Sequence, residues 1–88
     1  MTATASSTLT IRVLLFGSYA DSIGRDALEL CLPTPATIAD AVARLRALPG
    51  GEQIPTRPLC ALNLSQVPVE SILSSDAELA VLPPLAGG

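Results

Sequence analysis

Two proline-containing breaks, Pro33-Thr34-Pro35 and Pro49-Gly50-Gly51, bracket a segment whose apolar residues follow a helical period. Ile38, Ala41, Val42, Leu45 and Leu48 fall at i, i+3, i+4, i+7 and i+10, one stripe on one face, while Asp40, Arg44 and Arg46 lie off it. Thr37 stands where an N-cap belongs, and Asp40 suits the positive end of the helix. The breaks are physical. Proline offers no N–H and restricts the residue before it, and Pro-Gly-Gly stops a helix. One main helix is therefore expected.

The rest of the chain reads as strands and turns. Thr8 to Phe16 is a β-branched and aliphatic run that predicts a central strand. Arg25 to Leu32 alternates, with Ala27, Glu29 and Cys31 on one face and Leu28, Leu30 and Leu32 on the other, which predicts a strand half buried against the core. The intervening Asp21-Ser22-Ile23-Gly24 reads as the connection of a hairpin. After the helix, the polar stretch to Pro58 reads as a mobile loop. Leu59 to Leu64 predicts a third strand, Val67 to Val69 a short one interrupted by Pro68, and Ala77 to Leu82 a last strand after the Ser74-Ser75-Asp76 turn. The order ββαβββ fits the β-grasp plan, an α+β fold in which one main helix lies across a mixed sheet. Residues 1–7 read as a disordered lead-in, 8–82 as the folded domain and 83–88 as a flexible tail.

Composition narrows the chemistry. A domain of 88 residues buries only about 60 to 65% of its unfolded surface and has no room for a deep cleft. There is no His and no Lys, and the five basic residues are Arg12, Arg25, Arg44, Arg46 and Arg57. Imidazole catalysis, Schiff-base chemistry and His-ligated metal sites are thereby excluded, and no bound metal or cofactor is expected. A net charge of −3 and a pI near 4.5 argue against nucleic acid. The hydrophobic fraction of 49% and mean hydropathy of +0.51 are high, yet no apolar run approaches the ~20 residues of a membrane span. The apolar excess predicts a protein interface rather than a membrane. Met1 to Ser7 lacks the basic and apolar regions of a secretory signal, so a cytoplasmic location is expected. Cys31 and Cys60 stand alone in apolar stretches and are expected to be buried thiols.

The site is expected at the end of the chain, in Pro83-Pro84-Leu85-Ala86-Gly87-Gly88. Two prolines stiffen the base of this tail, and its length allows a reach of about 20 Å beyond the sheet. Gly87 and Gly88 have no side chains, so they can thread a channel too narrow for Cβ atoms. The Gly88 carboxylate is a poor electrophile. Adenylation would convert it to a mixed anhydride open to sulfur attack, giving a thiocarboxylate.

With these features the chain resembles the molybdopterin synthase small subunits and their ubiquitin-like sulfur-carrier relatives. The resemblance covers nearly everything after Ser7: RVLLFGSYADSIG with Phe16, Gly17 and Gly24 in place, TPATIADAV at the helix start, ALN ending in Asn63, and LPPLAGG at the terminus. Two departures stand out, Ala20-Asp21 where Arg-Glu is usual and Asp76-Ala77 where Gly-Asp is usual. The resemblance implies that an E1-like enzyme, using ATP and Mg, adenylates Gly88, that a persulfide donor supplies sulfur, and that the tail enters the synthase large subunit in a heterotetramer. There it would sulfurate cyclic pyranopterin monophosphate, with Phe16 and Leu82 meeting the partner beside the tail. This chain would supply a reactive end and be non-catalytic alone. The alternatives are a carrier for thiazole, cysteine or tRNA thiolation, and a ubiquitin-like protein modifier. Thiazole carriers typically lack both the loop that Pro49 to Pro58 provides and the Pro-Pro pair.

Overall fold

Strand β1 (Thr8–Leu15) alternates between buried and open positions, with Leu9, Ile11, Val13 and Leu15 all in the core. That period of two commits one face of the strand to packing and leaves the other free. The computed structural model describes residues 8–84, so the lead-in 1–7 and tail residues 85–88 lie outside it. After β1 come α1 (Gly17–Ile23), β2 (Ala27–Pro33), α2 (Ile38–Arg46), a 3-10 turn (Gly51–Gln53), β3 (Leu59–Leu62), β4 (Ser65–Gln66) and β5 (Glu78–Leu82).

The strands form one mixed sheet in the order β2-β1-β5-β3-β4. β1 and β5 run parallel, and the other pairs are antiparallel. This is the ubiquitin-like β-grasp arrangement. Helix α2 buries the expected stripe of Ile38, Ala41, Val42 and Leu45, and Leu48 packs half-buried just past its end. Thr37 caps it: its hydroxyl accepts from the Asp40 amide at 3.3 Å, and the Asp40 carboxylate accepts from the Thr37 amide at 2.8 Å. The next two free amides, of Ile38 and Ala39, donate to the carbonyls of Ser71 and Val69. The loop before β5 thus closes the start of the helix.

Four expectations are corrected. The link between β1 and β2 is not a hairpin loop but helix α1, which buries Tyr19 and ends at Gly24 in the left-handed region (φ 86°). The stretch after α2 is anchored rather than open, because the 3-10 turn delivers Ile54 into the core and the Ile54 carbonyl accepts from Arg46 Nε at 2.7 Å. The fourth strand is Ser65–Gln66, not Val67 to Val69. It pairs with β3 across Asn63 and Leu64, both at positive φ (49° and 75°), the turn geometry whose twist suits a two-residue hairpin. Finally, Cys31 is exposed, because it shares the Ala27 and Glu29 face of β2; only Cys60 is buried.

Candidate functional site

The parallel pairing of β1 with β5 fixes the site. Leu15 stands opposite Val81, the last pair in the register, so the chain leaves both strands at the same end of the sheet. Phe16 follows in extended conformation and is 43% exposed, and Leu82 is half-buried. On the other flank Leu82 pairs with Leu59, which is 40% exposed. Two residues inward, Ala80 stands between Leu14 and Ala61, all half-buried. These residues alternate with the core set and therefore lie on the face of the sheet away from α2. The result is an apolar patch of Leu14, Phe16, Leu59, Ala61, Ala80 and Leu82 where the chain exits toward its tail. Further along this face Arg12 stands in register between Glu29 and Glu78, a charged row that ends the patch.

Phe16 and Leu82 are thus brought to one end of the sheet, as the sequence suggested, and Phe16 is a surface residue. Leu59 was not expected there. Its period-two pairing with the last strand is a signal only once the register is known. Pro83 and Pro84 are described, half-buried and exposed respectively, whereas Leu85, Ala86, Gly87 and Gly88 lie outside the described residues.

The base of the tail is shaped by a glycine. Gly17 has φ +56°, and a Cβ there would stand 3.1 Å from Pro83 Cγ. A larger residue would be strained in its own backbone and would press on the start of the tail. Asn63 holds the other flank: its side-chain oxygen accepts from the Glu78 amide at 3.0 Å, and its own amide donates to the Glu78 carbonyl at 2.9 Å. The turn between β3 and β4 is thereby tied to the first residue of β5. Asp76 occupies a left-handed position (φ 65°), a region that aspartate adopts more readily than bulky or branched residues.

Side chains inside the domain offer little chemistry. Burial pushes the Cys60 thiol up to about 11, and it raises the Tyr19 phenol as well, with the nearby Cys60 adding to that shift. A hollow of about 630 Å³ beside Leu59 and Val67 carries Arg57 at its rim, but that guanidinium is paired with Glu70 at 2.7 Å. Among the described residues no group of His, Cys, Asp or Glu could hold a metal ion, and no helix is long and apolar enough to cross a membrane.

The family model described as the ThiS family matches residues 13–88, the domain from mid-β1 through the last residue. The chain belongs to the ThiS family. It has the ubiquitin-like β-grasp fold. Its fold is shared with SAMP1 from Haloferax volcanii, at 19% identity and TM-score 0.78 over 90% of this chain and 99% of that one. It is shared equally with a putative molybdopterin converting factor subunit 1 from Pyrococcus furiosus, at 19% identity and TM-score 0.77 over 88% and 99%. A complex of subunits 1 and 2 of molybdopterin-converting factor from Helicobacter pylori contains a further match, at 20% identity and TM-score 0.65 over 91% and 100%.

Proposed function

We propose that this chain is the sulfur-carrying small subunit of a molybdopterin synthase, with the Gly88 carboxyl as its working group. The observation that carries the reading is that the ThiS-family match runs through residue 88 and so takes in the Gly-Gly end. An E1-like enzyme transfers AMP from Mg-ATP to the carboxylate, making the carbonyl carbon electrophilic. The terminal sulfur of a persulfide donor then attacks that carbon and displaces AMP, giving an acyl disulfide. A second thiol cleaves its S–S bond, leaving with the donor's sulfur as a disulfide and freeing the thiocarboxylate. The patch around Phe16, Leu59 and Leu82 docks on the synthase large subunit in a heterotetramer. From that dock the residues from Pro83 onward reach a pocket in the partner, where the sulfur passes to cyclic pyranopterin monophosphate. Neither ATP nor metal is held by this chain. The apolar face at the tail's exit supports this reading, because a free-standing domain gains nothing by leaving Phe16 in water.

The test is a synthase reconstituted with large subunit, activating enzyme and sulfur donor. Intact mass should show one oxygen exchanged for sulfur at Gly88, and molybdopterin should form. Deleting Gly88 should abolish both while leaving the thermal midpoint of the domain unchanged. Undiminished product from the truncated chain would overturn the assignment. A second reading, attachment of Gly88 to lysines of other proteins, is favoured by the likeness to SAMP1. It predicts amide-linked conjugates in cells that lack the large subunit.

A further inference from the structure

All five cationic side chains of this sequence are arginines, and lysine and histidine are absent. In the fold all five arginines are exposed. Three use the guanidinium. Arg44 Nη1 donates to the Cys31 carbonyl at 3.3 Å, Arg46 Nε donates to the Ile54 carbonyl at 2.7 Å, and Arg57 Nη1 pairs with Glu70 at 2.7 Å. The guanidinium groups of Arg12 and Arg25 donate no hydrogen bond among the described residues. At those two positions nothing in the fold calls for a planar fork of donors rather than an ammonium.

The two side chains differ sharply as nucleophiles. A lysine amine is free in a small fraction of molecules near neutral pH and attacks activated acyl groups, whereas a guanidinium stays protonated and delocalised. The other nucleophiles are also restrained. Cys60 is buried. Cys31 is exposed but stands level with Thr10, at the end of β1 away from the tail's exit, and a thioester formed there would exchange back. Hydroxyl groups lack any imidazole in this chain to activate them.

We propose that the lysine-free surface protects the activated end of this protein. With arginine at every cationic position, an activated acyl group on Gly88 finds no side-chain amine on its own chain or on neighbouring copies, and it passes to a partner's nucleophile. The inference rests on the acyl activation of Gly88 proposed above. The reaction avoided is amide formation: an ε-amine nitrogen attacks the Gly88 carbonyl carbon, a C–N bond forms, the bond to AMP or sulfur breaks, and the amine proton leaves with that group.

The test uses the full chain, acetylated at its amino terminus and carrying a chemically made α-thioester at Gly88, so that no activating enzyme is needed. Wild type is compared at mildly alkaline pH with Arg12→Lys/Arg25→Lys and with a variant carrying lysine at all five positions. α-N-acetyl-lysine added to parallel samples reports that the thioester remains reactive. The expected result is that wild type only hydrolyses, while both variants accumulate reductant-resistant dimers whose mass is two chains less one water, with fragmentation placing the links at the new lysines. The inference is overturned if wild type forms amide-linked dimers as fast as the variants. It is also overturned if the variants stay monomeric while acylating the added amine. Failure of the proposed function would appear elsewhere, as no thiocarboxylate on Gly88 when activating enzyme, ATP and sulfur donor are supplied.

Discussion

The two faces of one sheet make the most instructive contrast in this molecule. On β1 and β5, Val13, Leu15, Leu79 and Val81 join α2 in the core and are essentially without solvent contact, while their immediate neighbours Leu14, Ala80 and Leu82 are half-buried, with no helix or strand among the described residues laid over them. The residue types are the same on both sides. What differs is whether α2 covers them, since the period of two sends alternate residues to opposite faces and α2 packs on one of them. The contrast teaches that apolar character alone does not separate core from interface. In a chain this small, the uncovered face is where surplus hydrophobicity can serve a partner.

The covered face should fail most severely when cut. Leu45 is fully buried beneath the sheet, so Leu45→Ala should cost ~2 to 5 kcal/mol by denaturant titration. A loss under about 0.5 kcal/mol would mean that α2 does not hold that face, and the contrast between faces would collapse.

The same face also makes stability depend on alkaline pH. Cys60 pairs with Val81 in the sheet, and burial raises its thiol from the ordinary 9.0 to about 11. A folded-state value above the unfolded one favours the neutral thiol in the fold. The contribution is present in full below pH 9 and is lost as pH rises through about 11. Relative to Cys60→Ala, the wild-type domain should lose roughly 2 to 3 kcal/mol across that window. Parallel pH profiles for the two proteins would show that the thiol is not shielded.

The uncovered face should respond in the opposite currency. Phe16→Ala removes a ring that is 43% exposed, so it should weaken association with the proposed large-subunit partner by ~1 to 3 kcal/mol and change folding stability by less than about 1 kcal/mol. Calorimetric titration and thermal melts on the same variant measure both. Unfolding without loss of affinity would reverse the assignment of the two faces.

How much of this could be read beforehand depended on whether a residue's partner was local. The α2 stripe, the Thr37 cap with Asp40 and the alternation of β2 are set by neighbours within a few positions, and all three are legible in the sequence. Helix α1 was not. It is seven residues long, has at its N-cap Phe16, which offers no side-chain hydrogen bond, and carries no acidic residue in its first turn. Its one signal is Gly24, the left-handed stop, with Tyr19 and Ile23 one turn apart before it. The exposure of Cys31 was implicit in its sharing a face with Glu29. Burial of Ile54 was not implicit anywhere, since a lone isoleucine in a polar stretch gives no period. At the candidate site, Phe16 and Leu82 were named through the family resemblance and their places at strand ends, whereas Leu59 joins the patch only through its pairing with Leu82 in the last strand.

The turn between β3 and β4 belongs to neither face and gives the smallest effect, which makes it the sharpest control on the contrast. Asn63 and Leu64 both sit at positive φ, and Leu64 is 93% exposed, so its side chain gains no burial to offset a conformation that branched and bulky residues avoid. Asn-Gly is the pair that such a two-residue turn favours. Leu64→Gly should therefore raise stability by about 0.5 to 1 kcal/mol, the strain relieved exceeding the entropy that glycine adds to the unfolded chain. Because Leu64 lies beyond the apolar patch, affinity for the large subunit should be unchanged. This is the mirror image of Phe16→Ala, which should move affinity and spare stability. If Leu64→Gly destabilises the domain, the turn is held by contacts of the leucine side chain. If it weakens partner binding, the docking surface extends past Leu59 to the tip of the hairpin, and the uncovered face is larger than the patch around the tail.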